Sequence, residues 1–203
     1  MLDNNHVLTA AHCVGTTDPS AITLVAGLHD KKLSEADTRQ IRVAGRIFMH
    51  PGWNSTLLKD DMAIIRLAQP VQFTKFVQPA CLPGPDPQPN DDIVLIGWGA
   101  EQMGGSPYQV LKQAKLKVIG QCNRYWYQVD ESKQICVANH NSGDSACQGD
   151  SGGPILKEYN GQWVVQGVAS FVSDCKTHAN LPPNVYVRVS AYLDWIRNTM
   201  RSA

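Results

Sequence analysis

Much is missing from this chain, and each absence narrows what it can be. Basic residues do not outnumber acidic ones: 18 Lys and Arg face 18 Asp and Glu, and no long basic run points to nucleic acid or a membrane surface. No apolar stretch reaches the roughly 18 residues of a membrane-spanning helix. The first residues, Met1-Leu2-Asp3-Asn4-Asn5, lack the basic start and apolar core of a signal peptide. C-x-x-C pairs of the zinc type are absent. No internal repeat or low-complexity tract stands out.

What is present reads as β structure. The 203 residues suffice for one large or two small domains with a core of their own. Strand signals lie at 22–26, 41–47, 62–67, 93–96, 116–119, 163–169 and 185–189. They are short, β-branched and separated by Gly, Pro, Asn and Asp, the pattern of an all-β sandwich or barrel. Pro83-Gly84-Pro85-Asp86-Pro87-Gln88-Pro89-Asn90 forbids both helix and central strand, so it reads as a linker between two β units. Only the end is helical in pattern: Tyr192, Leu193, Ile196 and Met200 recur at helical spacing, with Ser190 as the expected N-cap.

Six cysteines favour an oxidising compartment, and Asn54-Ser55-Thr56 is a glycosylation sequon consistent with one.

Chemistry concentrates in Gly149-Asp150-Ser151-Gly152-Gly153-Pro154. A serine hydroxyl is a weak nucleophile until a base takes its proton and donors receive the oxyanion. The flanking glycines allow backbone N–H groups to approach a substrate carbonyl. A base is offered by His12 within Thr9-Ala10-Ala11-His12-Cys13. An orienting acid is offered by Asp61 at the head of the apolar run Met62 to Leu67, with Asp60 its neighbour and competitor. The spacing of Asp61 to Ala63 and Ile65 favours Asp61. His6, His29, His50, His140 and His178 are read as ordinary histidines. The order His, Asp, Ser argues against the G-x-S-x-G elbow of α/β-hydrolases, which runs Ser, Asp/Glu, His and needs strand–helix alternation.

With these three motifs the chain resembles the chymotrypsin-like serine endopeptidases. Further matches are Gly97-Trp98-Gly99, Pro79-Ala80-Cys81-Leu82-Pro83, 168–172 and 184–189; the segment 190–196 is similar to that of pancreatic elastases. The resemblance implies two antiparallel β-barrels with the active site between them. A remnant of the first would span 1–82, the linker 83–92, the second barrel 93–190 and a C-terminal helix 191–203. It implies His12 as general base, Asp61 as its orienting acid and Ser151 as nucleophile, with the N–H groups of Gly149 and Ser151 as oxyanion hole. Ser170 would support Asp61 and help hold the substrate backbone, and Asp150 would pair with an ammonium released by activation cleavage. It pairs Cys122 with Cys136 and Cys147 with Cys175.

Substrate preference in such proteins turns on the residue six before the nucleophile, here Ser145. A neutral hydroxyl does not offset the cost of burying a substrate cation. Val172 and Asn184 stand where open pockets carry glycine, and with Gln148 and Phe171 they complete the expected substrate-binding set. Cleavage after small or medium apolar residues follows, although Asp144 beside Ser145 adds negative potential. Calcium-binding relatives carry acidic ligands at positions that match Leu28 and Arg39, so neither metal nor other cofactor is expected. Partners are protein or peptide substrates and protein protease inhibitors, with no nucleic acid or membrane, and a secreted, extracellular monomer is expected. Cys13 and Cys81 lack their usual partners, and strands that close the first barrel have no counterpart before His12. The resemblance therefore implies an N-terminally truncated sequence and a poor enzyme in this form. The rival reading is an inactive protease homologue that binds partners through surface loops; an intact triad speaks against it.

Overall fold

The computed structural model describes residues 1–15, 18–33, 37–175 and 181–202; His178 lies outside them. Its elements are β1 (His6–Thr9), α1 (Ala11–Val14), β2 (Thr23–Ala26), β3 (Gln40–Met49), β4 (Ala63–Leu67), β5 (Asp92–Gly97), β6 (Lys112–Ile119), β7 (Gln134–Ala138), β8 (Pro154–Tyr159), β9 (Gln162–Phe171), β10 (Asn184–Arg188) and α2 (Leu193–Ser202). The molecule is all-β apart from these short helices, and its named strands pair antiparallel. The first four strands form a curled open sheet in the order β1-β4-β3-β2. The remaining six close a barrel in the order β10-β7-β6-β5-β8-β9.

The barrel is filled in the way a small closed barrel must be. Ile93, Leu95, Leu116, Val118, Ile135, Val137, Ile155 and Tyr186 form one buried cluster inside it. A second cluster joins the two units: Met62 and Ile64 from the first pack on Leu156, Val165, Val168, Val187, Val189, Tyr192 and Ile196. A third lies beneath α1, where Ala11 and Val14 meet Ala44, Ile47, Ala63 and Ile65. Strand β4 is thus covered on both faces, with Ala63, Ile64, Ile65 and Leu67 all buried. Such a strand reads as a continuous apolar run with no alternation.

The windows read as strands coincide with β2, β3, β4, β5, β6, β9 and β10, with β6 longer at its N-terminal end and β3 and β9 longer chiefly at their C-terminal ends. Strands β1, β7 and β8 carry no comparable signal. The C-terminal helix differs in its start. Val189–Tyr192 is a 3₁₀ turn with Arg188 at its N-cap position, and the α-helix begins at Leu193. Ser190 is therefore no N-cap; its hydroxyl donates to the Asp86 carboxylate in the proline-rich segment. Ser190 lies inside the 3₁₀ turn, past the position from which a side-chain oxygen caps a helix start.

Two disulfides, Cys122–Cys136 and Cys147–Cys175, both belong to the second unit. Cys13 and Cys81 are free and exposed. The Cys81 backbone nevertheless joins β9, donating to Trp163 O and accepting from Val165 N, both at 3.0 Å.

Candidate active site

His12 sits in the single turn of α1, which follows β1 directly. Ala10 and Ala11 are fully buried there, and only such small side chains let the turn press onto the sheet. Asp61, at 0% exposure, lies just before β4 and faces that turn. It accepts from the His12 backbone N–H at Oδ1 (2.9 Å) and faces His12 Nδ1 with Oδ2 at 2.7 Å. The same Oδ2 accepts from Ser170 Oγ of β9 at 2.6 Å. A buried carboxylate needs such partners, since an unpaired charge away from water is costly. The hydrogen bond to Asp61, then that to Cys13, raises the His12 imidazole above its ordinary pKa, against the opposing effect of burial.

Asp60, the neighbour that competes with Asp61 in the sequence, points elsewhere. Its carboxylate accepts from Lys133 Nζ at 2.8 Å and Tyr192 OH at 2.7 Å, in the second unit.

Ser151 is exposed, at the tip of a turn held onto the barrel by backbone bonds. Gly152 N donates to Ala169 O (2.9 Å) and Ala169 N to Gly153 O (2.8 Å), which ties the turn to the residue before Ser170. Gly149 and Gly152 have φ of 97° and 73°, a region that favours glycine. A methyl at Gly152 would also lie 2.4 Å from Thr9 Oγ1 and 2.9 Å from Cys13 Sγ. That close approach brings the serine turn against the histidine turn. Among the described residues no hydrogen bond links Ser151 Oγ to His12; His12 Nε2 faces Cys13 Sγ at 3.5 Å. Catalytic bonds are often loose before substrate binds.

The backbone around Ser151 is unevenly satisfied. The N–H groups of Asp150, Gly152 and Gly153 each have an acceptor, whereas among the described residues those of Gly149 and Ser151 have none. Two unpaired donors beside one serine hydroxyl are suited to receive an oxyanion.

Asp150 is buried behind the turn, with Oδ1 accepting from Gly99 N (2.8 Å) and Oδ2 from Cys147 N (3.0 Å). Burial raises its pKa, opposed by those two donors and by Lys31. No salt bridge holds it among the described residues. It borders a cavity of about 410 Å³ lined in part by Gly99, Tyr108, Lys112 and Asp144.

Ser145 and Asn184 meet. Ser145 Oγ donates to Asn184 Oδ1 at 2.9 Å, which also accepts from Ala146 N at 3.0 Å, and Asn184 is fully buried in β10. Val172 is half-buried against the barrel cluster. Phe171 packs edge-on to Trp126 at 5.2 Å between centroids. Gln148 is exposed, its side chain accepting from Gly104 N at 3.1 Å. Arg39, set against a calcium site by its charge, donates to Asp30 O. Among the described residues no cluster of His, Cys, Asp or Glu has the geometry to hold a metal ion. None of their helices is long and apolar enough to cross a membrane.

An open sheet carrying the bonded His12–Asp61 pair packs against a closed barrel carrying the Ser151 turn, an arrangement suited to a serine hydrolase. The trypsin family model matches residues 1–196. Chymotrypsin-like elastase family member 1 of Canis lupus familiaris is 37% identical over 214 residues, which cover all of this chain and 80% of the relative. The Rattus norvegicus protein of the same name is 37% identical over 209 residues, 98% and 77% of the two chains. Transmembrane protease serine 9 of Rattus norvegicus is 37% identical over 201 residues, 96% of this chain and 18% of its own length. The chain belongs to the trypsin family, and it is a serine endopeptidase similar to elastases.

Proposed function

We propose that His12, Asp61 and Ser151 form the catalytic triad of this endopeptidase. The observation that carries this is the fully buried Asp61 carboxylate, bound at once by His12 and Ser170. His12 Nε2 takes the Ser151 proton as Oγ attacks the substrate carbonyl, and Asp61 holds the ring with Nδ1–H toward it and balances the imidazolium. The tetrahedral oxyanion is received by the N–H groups of Gly149 and Ser151, each of the kind worth on the order of 10²–10³ in turnover. The imidazolium then protonates the leaving amine, which leaves an ester on Ser151. Water, deprotonated by the same ring, hydrolyses that ester and restores the hydroxyl.

Asp150 is assigned to an ammonium, its expected partner after activation cleavage. Its support is a buried carboxylate with two N–H donors and no salt bridge among the described residues. Ser145, Val172 and Asn184 are assigned to the specificity slot, with Gln148, Ser170 and Phe171 along the substrate. Because Ser145 and Asn184 are both neutral, the pair offers no charge to a Lys or Arg side chain. We assign cleavage after small or medium apolar residues. The two disulfides support a secreted enzyme in an oxidising compartment. A monomer and protein inhibitors as further partners complete this reading.

Ser151→Ala tests it. Peptide cleavage and labelling by a fluorophosphonate should both vanish while the fold persists; retained amidase activity would reject the triad. A cleavage profile of the parent enzyme should rank Ala, Val and Leu ahead of Phe and Lys, and Asn184→Gly should admit larger residues. A profile dominated by Lys and Arg would reject the slot assignment and implicate Asp144.

A further inference from the structure

The side chain beside the triad acid is gripped by two groups distant in sequence, and this reaction leaves it without a role. Asp60 has φ of 52°, a left-handed conformation that a residue with a side chain adopts reluctantly. Its carbonyl accepts from Met62 N at 2.8 Å, so the chain folds tightly around Asp61. Consecutive aspartates are thereby turned in different directions, one toward His12 and the other toward the second unit. Backbone held this way persists only where its surroundings over-determine it, and such residues cluster at active sites.

The surroundings do so from three elements. Lys133, in the turn before β7, and Tyr192, in the turn before α2, both donate to Asp60 Oδ1. Gln134 Nε2 of β7 donates to Leu58 O, two residues upstream, at 3.4 Å. His50, at the end of β3, packs edge-on against the Tyr192 ring at 5.2 Å and that of Trp195 at 5.0 Å. Gly52 lies so close that a methyl there would sit 2.5 Å from Asp60 Oδ2.

We propose that Asp60 is a positioning residue for the endopeptidase reaction: anchored by Lys133 and Tyr192, it sets the backbone that aims Asp61 at His12. The proposal rests on the triad assigned above. Asp61 bonds His12 of the first unit and Ser170 of the second, while Asp60 grips the second unit at Lys133 and Tyr192, so one dipeptide couples the packing of the two units to the orientation of the base. Displacing a catalytic group by about 1 Å is enough to cost about 10²-fold.

The test measures kcat and KM per fluorophosphonate-titrated site in the intact enzyme. Asp60→Ala should lower kcat about tenfold to hundredfold with KM within about twofold, since a misaimed base weakens the transition state and not substrate binding. Asp60→Asn keeps an oxygen acceptor for Tyr192 and Lys133 and should stay within about threefold of the parent. Gly52→Ala leaves Asp60 in place but pushes its carboxylate, and should show the same kcat-specific loss. It also serves if Asp60→Ala fails to fold. A kcat per site near that of the parent in Asp60→Ala or Gly52→Ala, whatever the change in melting temperature, would overturn the proposal. So would an Asp60→Asn enzyme as slow as Asp60→Ala. Activity in Ser151→Ala would instead reject the triad itself, which keeps the two failures apart.

Discussion

The two β units divide the labour of the site unequally. The closed barrel has no free edges, a filled interior and both disulfides; it carries Ser151 and the proposed specificity slot. The open sheet leaves the outer edges of β1 and β2 without a paired strand among the described residues, and borders a groove of about 430 Å³. Its outer face exposes Val25, Ile41 and Val43, the latter two at 64% and 55%. Yet β4 of that sheet buries all its residues but Arg66, because part of its cover comes from the barrel's outer wall. His12 and Asp61 lie on that shared wall. A site assembled this way has one half held by its own closure and the other held by docking.

The largest expected effect breaks the link between the halves at the chemistry. Asp61→Asn should cost about 10⁴ in turnover, the magnitude of that substitution in the Ser–His–Asp template. It should also move the pH profile. The Asp61 bond is the main cause of the raised His12 pKa, and the base works only unprotonated, so activity rises as pH climbs through that raised pKa. Losing Asp61 should shift the acid limb of kcat/KM toward lower pH; an unmoved limb would show that Asp61 does not govern the base. In stability the sign is opposite. The imidazolium's contribution is full below the unfolded value near ~6.5 and is lost as pH rises through the folded value. Denaturant midpoints across that range should therefore fall with rising pH in the parent and change less in Asp61→Asn.

Next comes the shared wall. Ile64→Ala removes a fully buried side chain from the joint cluster and should cost about 2–5 kcal/mol in denaturant unfolding. If docking holds the His12 half, activity should be lost at lower denaturant than the barrel's own unfolding signal. A single coincident transition would instead show that sheet and barrel unfold as one. The smallest effect is expected on the open face. Ile41→Thr should change stability by no more than about 0.5 kcal/mol, since its side chain is already in water. A loss comparable to that of Ile64→Ala would mean that this face is covered in solution.

Much of this was legible in the chain because it is local. Short β-branched runs between turn residues announce most of the strands, and proline spacing marks the irregular segment between the units. The residue types around His12, Asp61 and Ser151, and their order, point to the proposed chemistry without any coordinates. What escaped was set by contacts distant in sequence. Strand β8 begins at Pro154, inside the serine motif, where turn chemistry dominates the pattern. Strand β7 is short and buried throughout, so no alternation marks it. Ser190 has the type of an N-cap but spends its hydroxyl on Asp86, 104 positions away. Strand alternation favours Asp61 over Asp60, yet Asp61 precedes the strand and β4 is covered on both faces. What separates the two aspartates is the left-handed Asp60 backbone and its partners Lys133 and Tyr192, more than seventy residues further on. Residue chemistry and short-range pattern are written in the sequence. The direction in which a carboxylate points depends on which distant groups satisfy it, and only the folded chain brings those groups within hydrogen-bonding distance.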